Sequence, residues 1–175
     1  MAALIVLGGL PGVGKTTIAR ELARALGGVH IRIDSIEQAI RTSCVGPVAL
    51  DDAGYRVGYA VAEDNLRLRR HVVADSVNPI PLTRRAWLAV AGAAGVTAIE
   101  VEIVCSDRDE HRRRVEQRGA DVPGLTPPSW QEVVARDYRP WNSAHVVVDT
   151  ARLTFPESVD AILNHLAATG VKTSG

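Results

Sequence analysis

Residues 4–26 read LIVLGGLPGVGKTTIARELARAL. An apolar run meets paired glycines, and then Gly9, Gly14, Lys15 and Thr16 follow in the spacing G-x-x-x-x-G-K-[ST]. Glycines at such positions let successive backbone N–H groups turn toward one phosphate group. The spacing therefore predicts a nucleotide cradle over residues 9–17, built from Gly9, Pro11, Gly12, Val13, Gly14, Lys15, Thr16 and Thr17. Lys15 is expected to reach the β- and γ-phosphates, and the Thr16 hydroxyl to meet Mg2+. The helix that follows would point its N-terminus at the anion. The surroundings agree. Ala3–Leu7 has the unbroken apolar character of a buried parallel strand, Ile18, Leu22, Ala25 and Leu26 recur at helical spacing, and Gly27–Gly28 supplies a stop.

Of the 20 basic residues only two are lysines, Lys15 and Lys172. One of them thus falls where the cradle needs a compact ammonium rather than a guanidinium fork. With 175 residues the chain is long enough for one well-packed domain, expected over residues 1–170 with a short tail at 171–175. The formal net charge is zero and no long run of one sign occurs, which argues against a nucleic-acid coat or a membrane-surface protein. Neither a signal peptide nor an apolar run of transmembrane length is present, so a cytoplasmic protein is expected. Two cysteines, Cys44 and Cys105, and five scattered histidines offer neither a disulfide framework nor a structural zinc site.

Working outward, strand-like runs recur at Ala3–Leu7, Val29–Ile33, His71–Asp75, Thr97–Cys105 and His145–Asp149. Helical patterns lie between them, near 15–26, 35–43, 53–70, 82–94, 107–118, 129–137 and 156–168. That alternation predicts an α/β fold, a parallel sheet with helices on both faces. Such sheets bind ligands at the carboxyl ends of their strands, and those ends carry the polar residues: the glycine loop, Asp34, Asp75 and Asp149–Thr150. Asp75 closes an apolar strand in the manner of a Walker B carboxylate, which holds Mg2+. Ser76 follows it where water-activating ATPases carry a glutamate. Asp34 admits two readings. With Glu37 or beside Ser35 it is a helix cap; near a γ-phosphate it is a general base that takes a proton from an acceptor hydroxyl.

The stretch DRDEHRRRVEQRGADVPGLTPPSW, residues 107–130, reads as a charged helix followed by a Gly/Pro-rich loop. Ser106 or Asp107 suits its cap. Arg114 and Arg118 share one face. Over about 107–140 this predicts a lid that brings cations to the migrating phosphoryl group and excludes water. Arg118, and after it Arg114, are the expected contacts. Arg108, Arg112 and Arg113 read as solvated, and Arg136 and Arg139 stay open as phosphate contacts. Tyr55, Tyr59, Trp87, Trp130 and Trp141 read as packing residues.

The quoted motifs resemble those of the small P-loop kinases over residues 3 to about 168. That group includes chloramphenicol phosphotransferase-like and AAA-domain-containing small kinases, gluconate and adenylylsulfate kinases, and the kinase domain of polynucleotide kinase. The resemblance rests on GLPGVGKTT, IRIDSIEQAI, VVADSVNPIPLTRRAW, CSDRDEHRRRVEQRG and VVVDT. It implies a three-layer P-loop NTPase fold with a five-stranded sheet of order 2-3-1-4-5. It implies Asp34 as the base, Asp75 with Asn78 and Arg84 or Arg85 at the acceptor site, Arg118 on ATP, and Thr150 beside the adenine. The segment 41–70 fits no pattern in the group and is expected to form an acceptor-binding insert. The reading that results is an ATP- and Mg2+-dependent kinase with a small hydroxyl-bearing acceptor such as an antibiotic, a sugar acid or a nucleoside. A 5′-hydroxyl nucleic-acid kinase, using Arg41, Arg56, Arg67, Arg69 and Arg70, is the less favoured alternative. A regulatory NTPase is the other, although without further lysines the guanine-reading N-K-x-D motif is absent.

Overall fold

The apolar run that opens the chain forms β1 (Ala3–Gly8), and every residue of it is buried. The computed structural model describes residues 1–43, 51–119 and 121–171. Cys44, residues 44–50 of the expected insert and residues 172–175 of the tail lie outside the described residues. In chain order the remaining elements are α1 (Lys15–Ala25), β2 (Val29–Arg32), α2 (Ile33–Arg41), α3 (Ala53–Arg67), β3 (Val72–Asp75), α4 (Pro81–Ala94), β4 (Thr97–Val104), α5 (Arg108–Gln117), α6 (Trp130–Val134), β5 (Val146–Asp149) and α7 (Phe155–Ala168).

All strand pairs are parallel and the sheet order is β2-β3-β1-β4-β5, the order that the resemblance implied. Alternation along β1 divides the core into two layers. Ala3, Ile5 and Leu7 pack with Ile18 and Leu22 of α1 and Ile162 and Leu166 of α7. Leu4 and Val6 face the other way, onto Ala62 and Leu66 of α3 and Trp87 of α4. A strand covered on both faces has no polar position to spare, which is why β1 reads as an unbroken apolar run.

Helix ends follow local chemistry. Asp107 caps α5 by accepting from the N–H groups of Asp109 and Glu110. Ser129 with Glu132, and Thr154 with Glu157, form capping boxes at α6 and α7. The strand expected over Val29–Ile33 ends at Arg32, so Asp34 belongs to the first turn of α2. The helix expected over 53–70 ends at Arg67 because Arg69 turns into the left-handed region. The one expected over 129–137 closes at Val134.

Candidate functional site

The loop between β1 and α1 is held from behind. Gly9 has φ of 139°, and a Cβ there would lie 2.2 Å from the Ile103 carbonyl oxygen. Gly14, the N-cap of α1, has φ of 100°. Neither position suits an L side chain. Thr150 Oγ1 donates to the Val13 carbonyl (2.9 Å), and His111 Nε2 donates to that of Pro11 (2.8 Å). Lys15 is buried and its ammonium donates to the Leu10 carbonyl at 2.9 Å. Burial lowers its pKa to about 8, against the pull of Asp75 and Asp34. Pro11, Gly12, Gly14, Lys15, Thr16 and Thr17 line a cavity of about 680 Å3, whereas Gly9 and Val13 only shape the loop. That volume falls within the ordinary range for small-molecule sites.

Asp75 lies in the same cavity, at the end of β3 and 3% exposed. His30 Nε2 donates to its Oδ2 at 3.2 Å. Burial opposes its ionisation, but the His30 hydrogen bond, the Lys15 charge and a hydrogen bond from Thr16 outweigh it and hold the pKa below the usual value. Mg2+ is bound through one or two carboxylates plus substrate phosphates and retained waters, not by a full protein cage. One ionised carboxylate bonded to one hydroxyl beside a phosphate-binding loop fits that ion. Among the described residues no cluster of three or more metal-binding side chains competes with it.

Asp34 is not a cap. The N-cap of α2 is Arg32, and no side chain caps that end. The Asp34 carboxylate instead lines the cavity, 3.6 Å from Arg32 Nη2. Lid residues line the same cavity: Arg114, Arg118, Thr126, Pro127, Glu132 and Arg136. Arg114 is spoken for by Glu110 and by both oxygens of Thr150. Among the described residues Arg118 has only a 3.8 Å ion pair with Asp121. Arg113 is exposed, as the solvated reading expects, and borders the cavity with its guanidinium held by Glu110 and Gln117. Arg139 pairs with Asp137 and does not line the cavity.

Four expected contacts fall elsewhere. Asn78 is completely buried: its Nδ2 donates to the Leu7 carbonyl and its Oδ1 accepts from Trp87 Nε1. Arg84, also buried, donates to the carbonyls of Asn78, Pro79, Arg139 and Pro140 and stacks 4.4 Å from the Trp141 ring centroid. Arg85 is exposed and outside the cavity. Thr150 is buried behind the loop it braces. The three tryptophans and two tyrosines pack as expected; Tyr59 meets Trp87 edge-on at 4.6 Å, and Trp130 meets His111 at 5.1 Å. Of the arginines that a nucleic-acid groove would use, only Arg41 lines the cavity, and it pairs with Glu37.

Two site residues were not anticipated. Arg32, at the end of β2, is 7% exposed and lines the cavity between Asp34, Asp75 and Asp121. An arginine closing a strand at the carboxyl edge of the sheet, two residues before Asp34, was the available signal. Asp121 sits in the Gly/Pro-rich loop and carried none.

A family model described as "AAA domain" matches residues 4–135. No curated protein matches the chain. Among solved structures, a sugar kinase from Janibacter sp. HTCC2649 superposes with a TM-score of 0.71 at 17% identity, covering 99% of this chain and 100% of that one. The Mycobacterium tuberculosis APS kinase CysC, in complex with AMPPNP and APS, gives 0.68 at 17% identity, covering 95% and 98%. A gluconokinase from Sinorhizobium meliloti 1021 gives 0.64 at 22% identity, covering 95% and 93%. At such identities the likeness is one of fold, that of the small P-loop kinases.

Proposed function

Because the chain belongs to the AAA domain family, we propose from its site that it is an ATP- and Mg2+-dependent kinase, moving the γ-phosphate to a hydroxyl of a small molecule. The carrying observation is the Asp34 carboxylate, which caps nothing and lines the same cavity as Lys15, Thr16 and Asp75. In that arrangement the loop and Lys15 hold the triphosphate. Thr16 and Asp75 would hold Mg2+, which when bound neutralises charge across the β- and γ-phosphates. Asp34 accepts the proton of the acceptor hydroxyl. The oxygen then bonds to the γ-phosphorus as the bond to the β–γ bridging oxygen breaks, and ADP leaves with that electron pair. Arg118 and Arg136 face the charge that spreads over the transferred group.

The kinase neighbours support nucleotide use, and one of them holds AMPPNP. Among the described residues no helix is long and apolar enough to cross a membrane; a cytoplasmic reaction, where ATP is supplied, fits this reading. The test is transfer of label from γ-labelled ATP to a panel of antibiotics, sugar acids, nucleosides and 5′-hydroxyl oligonucleotides. Label on one small-molecule class supports the reading. Label only on oligonucleotides favours the nucleic-acid alternative, and label only in free phosphate points to an NTPase.

A further inference from the structure

Three arginines from three elements converge on one lid-loop carboxylate. Asp121 takes both terminal nitrogens of Arg32, at 2.9 Å and 2.8 Å, and lies 3.8 Å from Arg20 of α1 and 3.8 Å from Arg118 at the end of α5. The Arg32 side chain is almost wholly buried and its Nε has no hydrogen-bond partner. Burial works against its charge, and Asp121, Asp75 and Asp34 outweigh it to hold the pKa above the ordinary value. The loop also touches the core independently at α2: a Cβ on Gly124 would come 2.9 Å from Nε2 of buried Gln38.

One atom makes the arrangement informative. Arg32 Nη2, which donates to Asp121, is the same nitrogen that stands 3.6 Å from Asp34 Oδ2. That nitrogen carries two N–H groups, and the bidentate pair with Asp121 sets the fork so that it stays beyond hydrogen-bond distance of Asp34. A buried guanidinium that loses its partner keeps its charge and takes the nearest anion, which here is Asp34 or Asp75.

We infer that Asp121 is a positioning residue: it clasps the lid loop to the end of β2 through Arg32, fixes Arg118 over the phosphate end of the cavity and draws Arg32 off the Asp34 carboxylate. The clasp stands on geometry alone, while its effect on phosphate transfer rests on the kinase reading. A bidentate pair between a buried guanidinium and a half-exposed carboxylate is a stronger tie than a surface pair, because one partner has no water to turn to. It also makes lid position and base availability one event. A lid that lifts carries Asp121 away, and Arg32 closes on Asp34.

The test compares Asp121→Asn and Asp121→Glu with the wild type. Hydrogen exchange over residues 118–129, affinity for a fluorescent ATP analogue, and kcat and KM are measured. In Asp121→Asn the loop should exchange faster and nucleotide affinity should fall ~10-fold, the loss of one charged contact. Where an acceptor is known, kcat should fall ~10-fold or more with acceptor KM little changed, as for an interaction expressed in the transition state. Asp121→Glu, which keeps the charge, should recover most of each effect. Unchanged exchange in Asp121→Asn overturns the clasp. Faster exchange with unaltered affinity and kcat, or equal damage in Asp121→Glu, overturns the positioning role. A wild type that binds no nucleotide sinks the kinase reading, and the exchange data still decide the clasp.

Discussion

Replacing Arg84 should damage stability rather than acceptor binding. Its guanidinium makes four hydrogen bonds to carbonyls, at 2.9 Å to Asn78, 2.9 Å to Pro140, 3.1 Å to Pro79 and 2.5 Å to Arg139. It thereby ties the loop after β3 to the return segment from the lid, and it lies over the Trp141 ring and within 5.5 Å of the Tyr138 ring centroid. Burial pushes its pKa down, and Tyr138, Glu102 and Glu100 oppose that. A hydrogen bond from a charged group contributes about 1.5–3 kcal/mol, and a desolvated cation–π contact about 2 kcal/mol. The simple sum is too large, since truncation relieves the desolvation of the guanidinium and lets water reach some of the carbonyls. A net loss of about 4 kcal/mol for Arg84→Ala matches the breaking of a buried charged network. In a domain of this size that lowers Tm by roughly 8–16 °C. Arg84→Lys should recover less than half, because one ammonium with three donors cannot span four carbonyls around a planar fork. Urea and thermal unfolding followed by tryptophan fluorescence measure both. A Tm within a degree or two of the wild type, together with a raised KM for the acceptor, would refute the reasoning and return Arg84 to the acceptor site.

Three further outcomes are expected. His111 is buried against Trp130, and burial, more than the nearby charges of Lys15 and Arg114, lowers its pKa below the ordinary 6.5. The unfolded chain therefore takes up the proton first, so this part of the stability is complete above about pH 6.5 and is lost as the pH falls toward the folded pKa. Urea midpoints between pH 7 and 5.5 should fall more for the wild type than for His111→Gln, and parallel curves would contradict this. His30→Ala should weaken Mg2+-dependent nucleotide binding by about 10-fold or more, as outer-shell partners of metal ligands do; His30→Gln, which keeps a donor for Asp75, should restore part of it, and equal loss in both would count against an orienting hydrogen bond. Gly9→Ala, with its Cβ forced onto the Ile103 carbonyl, should lose nucleotide binding altogether in titrations, and retained affinity would show that the loop can yield.

What could be read in the sequence was local. The phosphate cradle is contiguous, so its spacing carries its geometry, and β1 announces its burial on both faces by having no polar residue. Asp34 could not be resolved that way, because a cap and a base both call for a carboxylate where a strand meets a helix. The start of α2 at Ile33 puts Asp34 inside the helix and removes the cap reading, which leaves the base as the proposal to test. Asn78 and Arg84 stood in a motif that suggested ligand contact, yet Asn78 adopts φ of 49° and both side chains turn inward onto the ends of β1 and the lid return. Arg32 and Asp121 are 89 positions apart, and no periodicity links them. The sheet order came from the resemblance, since alternation of elements does not say which strands are neighbours.

The central claim is that Asp34 is the base of a phosphate transfer, and Asp34→Asn tests it most directly. Nucleotide affinity and acceptor-dependent ADP release would be measured side by side on wild type and variant. The account expects affinity within about 3-fold of the wild type, since Asp34 acts on the phosphate loop through its charge on Lys15 and not through a hydrogen bond, and acceptor-dependent release lower by about 100-fold or more, the usual scale of general-base catalysis. Acceptor-dependent release at the wild-type rate in Asp34→Asn would contradict it.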